Sequence, residues 1–394
     1  MPYLSRGRFG ELTEMKLLQV VGARPQFVKL APVSAALARR RAGGLVVEEI
    51  VLHTGQHYDP SMSKIFFDEL GLPRPAVNLE VGSGSHGQQT AQMLEGVERC
   101  LVDWAPDAVI VYGDTNSTLA GTLAAVKLGV PVAHVEAGLR SFNRSMPEEL
   151  NRIATDHLAD LLLAPTVAAL ENLAGEGLAA RSALVGDVML DAVLAAHARA
   201  NRESKVLSDL GLDGVRFAFV TIHRAENTLP ERLPAVLELL GTVAESTGLP
   251  LVFAVHPRTR LQMESASLDV SLHPAIRLTQ PLSYIDAIRV LGAADFVLTD
   301  SGGLQKEAFC VGTPCITLRA ETEWLETVAA GANHVVGLDQ QRLAAALDAI
   351  ASGVDYNRER QVASAAEYYG GGHAADRVVD AVLHFLMMRS GPGR

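Results

Sequence analysis

Cysteine is scarce in this chain: three thiols, Cys100, Cys310 and Cys315, in 394 residues, with no Cys-x-x-Cys pair. An odd, sparse set argues against a disulfide framework and against a thiolate zinc site, and it fits a reducing cytoplasm. Long apolar runs are missing too: none reaches the roughly 18 residues of a membrane span. Residues 1–14 lack the apolar stretch of a signal peptide and read as a loose extension ahead of a strand opening at Met15. Basic residues are few relative to acids, 34 Lys and Arg against 45 Asp and Glu, for a net charge of −11. That balance argues against general nucleic-acid binding, which relies on dense Lys and Arg, but leaves room for a local basic pocket facing phosphate.

What is present suits a globular enzyme. Hydrophobic residues make up 48% and charged residues 20%, ordinary values for a folded soluble chain. The length exceeds what one hydrophobic core usually serves, so two domains are expected. Short apolar runs at 17–21, 46–52, 108–112, 130–134 and 161–164 alternate with helical patterns such as 27–40. That alternation is the mark of right-handed βαβ units and a parallel sheet. It restarts after a polar, helical stretch at 201–213, with strands expected at 216–221, 251–255, 296–299 and 315–318. The expected fold class is α/β, two Rossmann-like doubly wound domains facing one another across a cleft. The boundaries follow as 15–186 for the first domain, 187–214 for the connection and 215–372 for the second. A last helix at 373–394 would cross back to the first.

The densest chemistry lies between His134 and Arg152, where Glu136, Arg140, Arg144, Glu148 and Glu149 crowd a strand end and the start of a helix. Upstream, the apolar run 109–112 ends in Gly113-Asp114-Thr115-Asn116. Two successive strands therefore deliver acids, Asp114 and Glu136, at their carboxyl ends, the edge where open α/β sheets bind ligands. A solvated loop with ion pairs is the ordinary fate of such clusters. The glycines, proline and acids gathered at strand ends favour a catalytic site.

The second half repeats the arrangement. The run 296–299 leads into Asp300-Ser301-Gly302-Gly303 and a helix carrying Glu307. Glycines there let backbone amides approach an anion at a helix N-terminus, and Glu307 could accept hydrogen bonds from ribose hydroxyls. A plain Ser-capped turn would look the same. Gly22-Ala23-Arg24-Pro25 places Arg24 at a strand end, where it could grip phosphate in bidentate fashion. His223, beside Arg224 and Glu226 at the end of another strand, can serve as acid, base or phosphate ligand. A capping histidine is the plainer alternative. Gly82-Ser83-Gly84-Ser85-His86-Gly87 is a literal G-x-G-x-x-G, but the strand before it is weak and no acid ends a next strand at the expected distance, where Asp107 begins one, so it reads as a mobile loop. His53 and His57 lack a third nearby ligand, so no metal is expected.

In order along the chain, GARPQ (22–26), TGQH (54–57), GDT (113–115), HVEAGLR (134–140), PEELNR (147–152), HRAEN (223–227), DSGG (300–303) and Thr322-Glu323 resemble the non-hydrolysing UDP-N-acetylglucosamine 2-epimerases. The resemblance runs from Met15 to the last helix. It implies the two-domain fold of the GT-B nucleotide-sugar glycosyltransferases, a homodimer, a UDP-N-acetylhexosamine substrate and no cofactor. It further implies catalytic roles for Asp114, Glu136, Glu148 and His223. Arg24, Lys29, Ser301, Gly302, Gly303, Glu307 and Arg319 would bind the UDP-sugar.

Two departures from the commonest bacterial pattern stand out. Ala225 replaces a second arginine after the histidine, and Thr322-Glu323-Trp324-Leu325-Glu326 replaces Thr-Glu-Arg-Pro-Glu. There, and in GARPQ, the chain is more similar to the epimerases of UDP-2,3-diacetamido-2,3-dideoxyglucuronate, which act on the same carbon. A GT-B glycosyltransferase, a hydrolysing epimerase and a non-catalytic UDP-sugar sensor are the rivals. The acids discriminate, because a transferase needs one base and a sensor none.

Overall fold

The computed structural model describes residues 15–56, 67, 69–265, 268, 273–353 and 357–389. The extension at 1–14 and His57 lie outside them. The chain divides into two compact units, residues 1–188 with 372–394, and residues 189–371.

The first unit is built on β1 (Met15–Val21), β2 (Val47–His53), β3 (Val77–Asn78), β4 (Ala108–Tyr112), β5 (Val132–Val135), β6 (Leu161–Ala164) and β7 (Ser182–Leu184). They form one sheet in the order β3-β2-β1-β4-β5-β6-β7, with parallel neighbours throughout. Near-continuous apolar strands such as Ala108–Tyr112 are what a sheet covered on both faces requires. Alternation along each strand sorts the side chains. Ile110, Tyr112, Ala133 and Val135 share one core with the helices Arg24–Ala42 and Ala374–Arg389. Val109, Val111 and Val132 share the other with the helix His86–Trp104 and its neighbours. Each fully buried Val or Leu here contributes about 1.5–3 kcal/mol of transfer free energy. Arg39 and Arg40 meet Asp376 and Asp380 across the first pair of helices, so the last helix belongs to this unit.

The second unit holds β8 (Ala218–Thr221), β9 (Leu251–Ala254), β10 (Ile276–Thr279), β11 (Phe296–Thr299), β12 (Cys315–Thr317) and β13 (Asn333–Val335). Their order is β10-β9-β8-β11-β12-β13, again parallel. The stretch read as the connection, 187–214, is largely helical. The helices Val188–Glu203 and Val206–Asp209 fill most of it, and Ser204 is hydrogen-bonded to Asp286 at 2.5 Å within the second unit. In both sheets chain order reverses beside the first strand, between β1 and β4 and between β8 and β11. That leaves a crevice at the strands' carboxyl ends. Among the described residues no helix is long and apolar enough to cross a membrane.

Candidate active site

In the first unit, the carboxyl ends of β1, β4 and β5 converge. Gly22 leaves β1 for the helix Arg24–Ala42, and Gln26 shapes the turn. Its side-chain oxygen accepts from the Gly22 and Ala23 amides at 2.8 and 3.0 Å, and its nitrogen donates to the Tyr112 carbonyl at 2.9 Å. Arg24 stands exposed at the helix start. One helical turn on, Lys29 forms a nearly buried ion pair with Glu136. Glu136 has φ +73, a left-handed conformation unusual for a residue with a side chain. Backbone held this way costs of order 1–3 kcal/mol and clusters at functional sites.

Asp114, at the end of β4, pairs with Arg152 of the helix Pro147–Leu158. Arg152 also donates to Glu149 at 2.6 Å. The Glu149 carboxylate is 1% exposed and accepts the amides of Ser141 and Phe142 at 2.9 Å each. Burial alone would raise its pKa. Those two amides, the Ser141 hydroxyl and the Arg152 charge outweigh burial and hold it below the usual carboxylate range. Glu148, one residue earlier, points to solvent.

The second unit brings β8 and β11 side by side. Asp300, fully buried, accepts the His223 and Arg224 amides at 3.1 and 3.0 Å and the Asn227 side-chain amide at 3.1 Å. The His223 ring is 43% exposed, with Nδ1 3.6 Å from Asp300. Ser301 caps the helix Gly302–Val311, its hydroxyl accepting the Leu304 amide at 3.4 Å. Gly302 allows a close approach: a Cβ there would fall 2.3 Å from the Glu323 carboxylate, which pairs with Arg319 at 2.7 Å. The Trp324 indole donates to the Gly302 carbonyl at 2.8 Å, and the Lys306 ammonium lies 4.3 Å above that ring. Two strand-end sites result, one rich in paired acids and one offering helix N-terminal amides with a half-exposed histidine.

A sequence profile of the UDP-N-acetylglucosamine 2-epimerase family matches residues 41–383. This chain belongs to that family. A UDP-N-acetylglucosamine 2-epimerase homolog of Methanococcus maripaludis is 46% identical over 333 residues, 84% of this chain and 90% of the relative. The UDP-2,3-diacetamido-2,3-dideoxy-D-glucuronate 2-epimerase of Pseudomonas aeruginosa is 44% identical over 370 residues, 93% of this chain and 99% of the relative. The crystal structure of Methanocaldococcus jannaschii UDP-GlcNAc 2-epimerase, in complex with UDP-GlcNAc and UDP, superposes with a TM-score of 0.81 at 38% identity, covering 94% of this chain and all of the other. The fold class is α/β of the GT-B kind.

Within this epimerase framework, the structure gathers the expected residues into the two strand-end sites. Arg24, Lys29, Asp114 and Glu136 lie at the first. Glu148 is at the first turn of its helix with its side chain in solvent. His223, Ser301, Gly302, Gly303 and Arg319 belong to the second, and Glu307 sits half-buried on the helix that Ser301 caps. Sequence reasoning quoted Gln26, Glu149, Arg152, Asp300 and Trp324 within its motifs but gave them no role of their own, although they hold these sites together. Asp300 had a signal in its strand-end position, and Gln26 in its place within GARPQ. Among the described residues, no group of three His, Cys, Asp or Glu is placed to hold a metal ion.

Proposed function

We propose that this chain is a non-hydrolysing UDP-N-acetylglucosamine 2-epimerase that interconverts UDP-GlcNAc and UDP-ManNAc without a cofactor. The observation that carries the reading is the pair of acids at adjacent strand ends: Asp114 against Arg152 and Glu136 against Lys29. The family match and the 38% identical structure in complex with UDP-GlcNAc and UDP support it.

The chemistry accounts for the residue types. C2 of the sugar has no adjacent carbonyl, so its proton leaves only as a leaving group departs from C1. The C2–H electron pair becomes the C1=C2 bond, the C1–O pair leaves with UDP, and a 2-acetamidoglycal remains. A proton then arrives on the opposite face of C2 and UDP adds back at C1. Proton removal and return need placed carboxyls, for which Asp114, Glu136 and Glu148 are the candidates. Arg24, His223 and the Ser301-Gly302-Gly303 amides would stabilise charge on the departing UDP. Lys29, Glu307 and Arg319 complete the binding set. The same reading makes the enzyme a cytoplasmic homodimer; the three buried free thiols support a reducing setting, and sedimentation tests the dimer.

A second reading has its own support. Ala225 and Trp324-Leu325 depart from the commonest pattern, and the Pseudomonas aeruginosa relative matches along 93% of this chain. That favours UDP-2,3-diacetamido-2,3-dideoxyglucuronate as the alternative substrate. Incubating the protein with each nucleotide sugar alone and following products by proton NMR decides between them. C2 inversion of UDP-GlcNAc supports the first reading, and inversion of the uronate alone supports the second. Free sugar plus UDP would indicate a hydrolase, and unchanged substrate in both tubes would overturn epimerisation.

A further inference from the structure

His134 has no part in the mechanism above, yet it lies directly beneath the acids of the first unit. It is fully buried in β5. Its Nδ1 is 2.7 Å from an Asp156 carboxylate oxygen, and its Nε2 is 2.7 Å from the Gly113 carbonyl. A neutral imidazole offers one N–H and one lone pair, and a lone pair set 2.7 Å from a carbonyl or carboxylate oxygen would be repelled. Gly113 can only accept. The other Asp156 oxygen accepts the Gly138 amide at 3.0 Å and the Arg140 guanidinium at 2.7 Å. Burial would raise the Asp156 carboxyl, but the facing His134 and Arg140 hold it below its ordinary value. Arg140 is paired in turn with Glu176, which also meets His157. The two groups hydrogen-bonded to the ring, the Asp156 carboxylate and the Gly113 carbonyl, are thus both placed as acceptors, one at each nitrogen.

The consequence reaches the reacting groups through Gly113. That residue has φ +62, and its amide donates to the Val135 carbonyl at 3.0 Å. The turn that delivers Asp114 is thus held from both sides by β5, the strand that ends in Glu136. Space there is tight: a Cβ on Gly113 would come within 3.1 Å of both the Glu136 carboxylate and the Lys29 ammonium. We propose that His134 is a positioning residue, a buried imidazolium clamped between Asp156 and the Gly113 carbonyl, which fixes the Asp114 turn relative to Glu136.

The kinetic part of this inference rests on the epimerase reading; the protonation state does not. With ¹⁵N-histidine incorporated into the full chain, long-range ¹H–¹⁵N spectra at neutral pH should show both ring nitrogens of His134 protonated. The signal is assigned by its loss in His134→Gln. One nitrogen at the unprotonated shift in that signal would overturn the clamp, whatever the turnover of the variants. In turnover, His134→Asn keeps a donor toward Asp156 but releases Gly113. It should lower kcat about ten- to a hundredfold with KM nearly unchanged, the scale of a misplacement near one ångström. His134→Gln, whose amide reaches toward Gly113, should recover most of the loss. Equal rates for wild type and His134→Asn, or a loss confined to KM, would refute the positioning role. If wild-type protein turns over neither nucleotide sugar, the functional reading fails, and the spectra alone decide the clamp.

Discussion

Glu149→Gln probes the loop ahead of the helix Pro147–Leu158. In the native state one Glu149 oxygen accepts the Phe142 amide at 2.9 Å, and the other accepts the Ser141 amide at 2.9 Å and Arg152 at 2.6 Å. A glutamine keeps one acceptor and turns the other into a donor. In either orientation its NH₂ faces a backbone N–H, and in one of them it faces Arg152 as well. Leaving one part-buried donor facing an NH₂ inside the buried Glu149 site costs about 1–3 kcal/mol, and weakening the remaining charge-assisted bonds adds to that. The expected total is about 2–4 kcal/mol of local stability, so the Ser141 and Phe142 amides should exchange roughly 30- to 1000-fold faster. Hydrogen exchange read by mass spectrometry on peptides covering 139–146 measures this. The sign with pH follows from the depressed Glu149 carboxyl. Its stabilisation is complete above the ordinary glutamate range and is lost as pH falls through the lower native value. Wild type should therefore lose protection in that acidic window, and the glutamine variant should show no such step. Equal protection in the two proteins at neutral pH would refute the argument.

Asp114→Asn, Glu136→Gln and His223→Ala should each fold and lose turnover by roughly 10²-fold or more, the scale of acid–base and electrostatic contributions; near-normal rates in all three would remove the assignment. Arg24→Ala should weaken UDP binding by about ten- to a hundredfold through loss of a charge-assisted phosphate contact, as titration calorimetry would read, and unchanged affinity would make Arg24 a structural residue. Gly138→Ala combines φ +84 with a Cβ placed 2.3 Å from the Ala169 carbonyl oxygen. Because the obstacle is backbone, the loss should be about 3 kcal/mol or more, visible as a large drop in Tm.

Much of this fold was legible because both sheets are parallel and buried on both faces, so their strands stand out as short apolar runs. Strands at 276–279 and 333–335 were not read, and neither was 182–184. Ile276–Thr279 carries an arginine and a threonine, and Asn333–Val335 an asparagine and a histidine, at sheet edges where one side need not be apolar. Asp114 and Glu136 could be placed because a strand end dictates which edge its next residue reaches. Glu148 and Glu149 could not be told apart that way. They are neighbours on the first turn of one helix, and only its rotation against the sheet buries Glu149 and leaves Glu148 in solvent. The His134 clamp escaped for a related reason. Its partners Gly113 and Asp156 are 21 and 22 residues away in opposite directions, and no local pattern announces a contact of that kind.

Turnover in heavy water, with oxygen-18 bridging C1 and phosphorus, tests the central claim most directly. Deprotonation and reprotonation at C2 on the enzyme must place solvent deuterium at C2 of the product. Cleavage of the C1–O bond must let the label scramble toward non-bridging positions before UDP returns. The account predicts both signals from UDP-GlcNAc with no acceptor present. Product that keeps protium at C2 and the label in the bridge would exclude elimination, and with it the roles given to Asp114, Glu136 and Glu148.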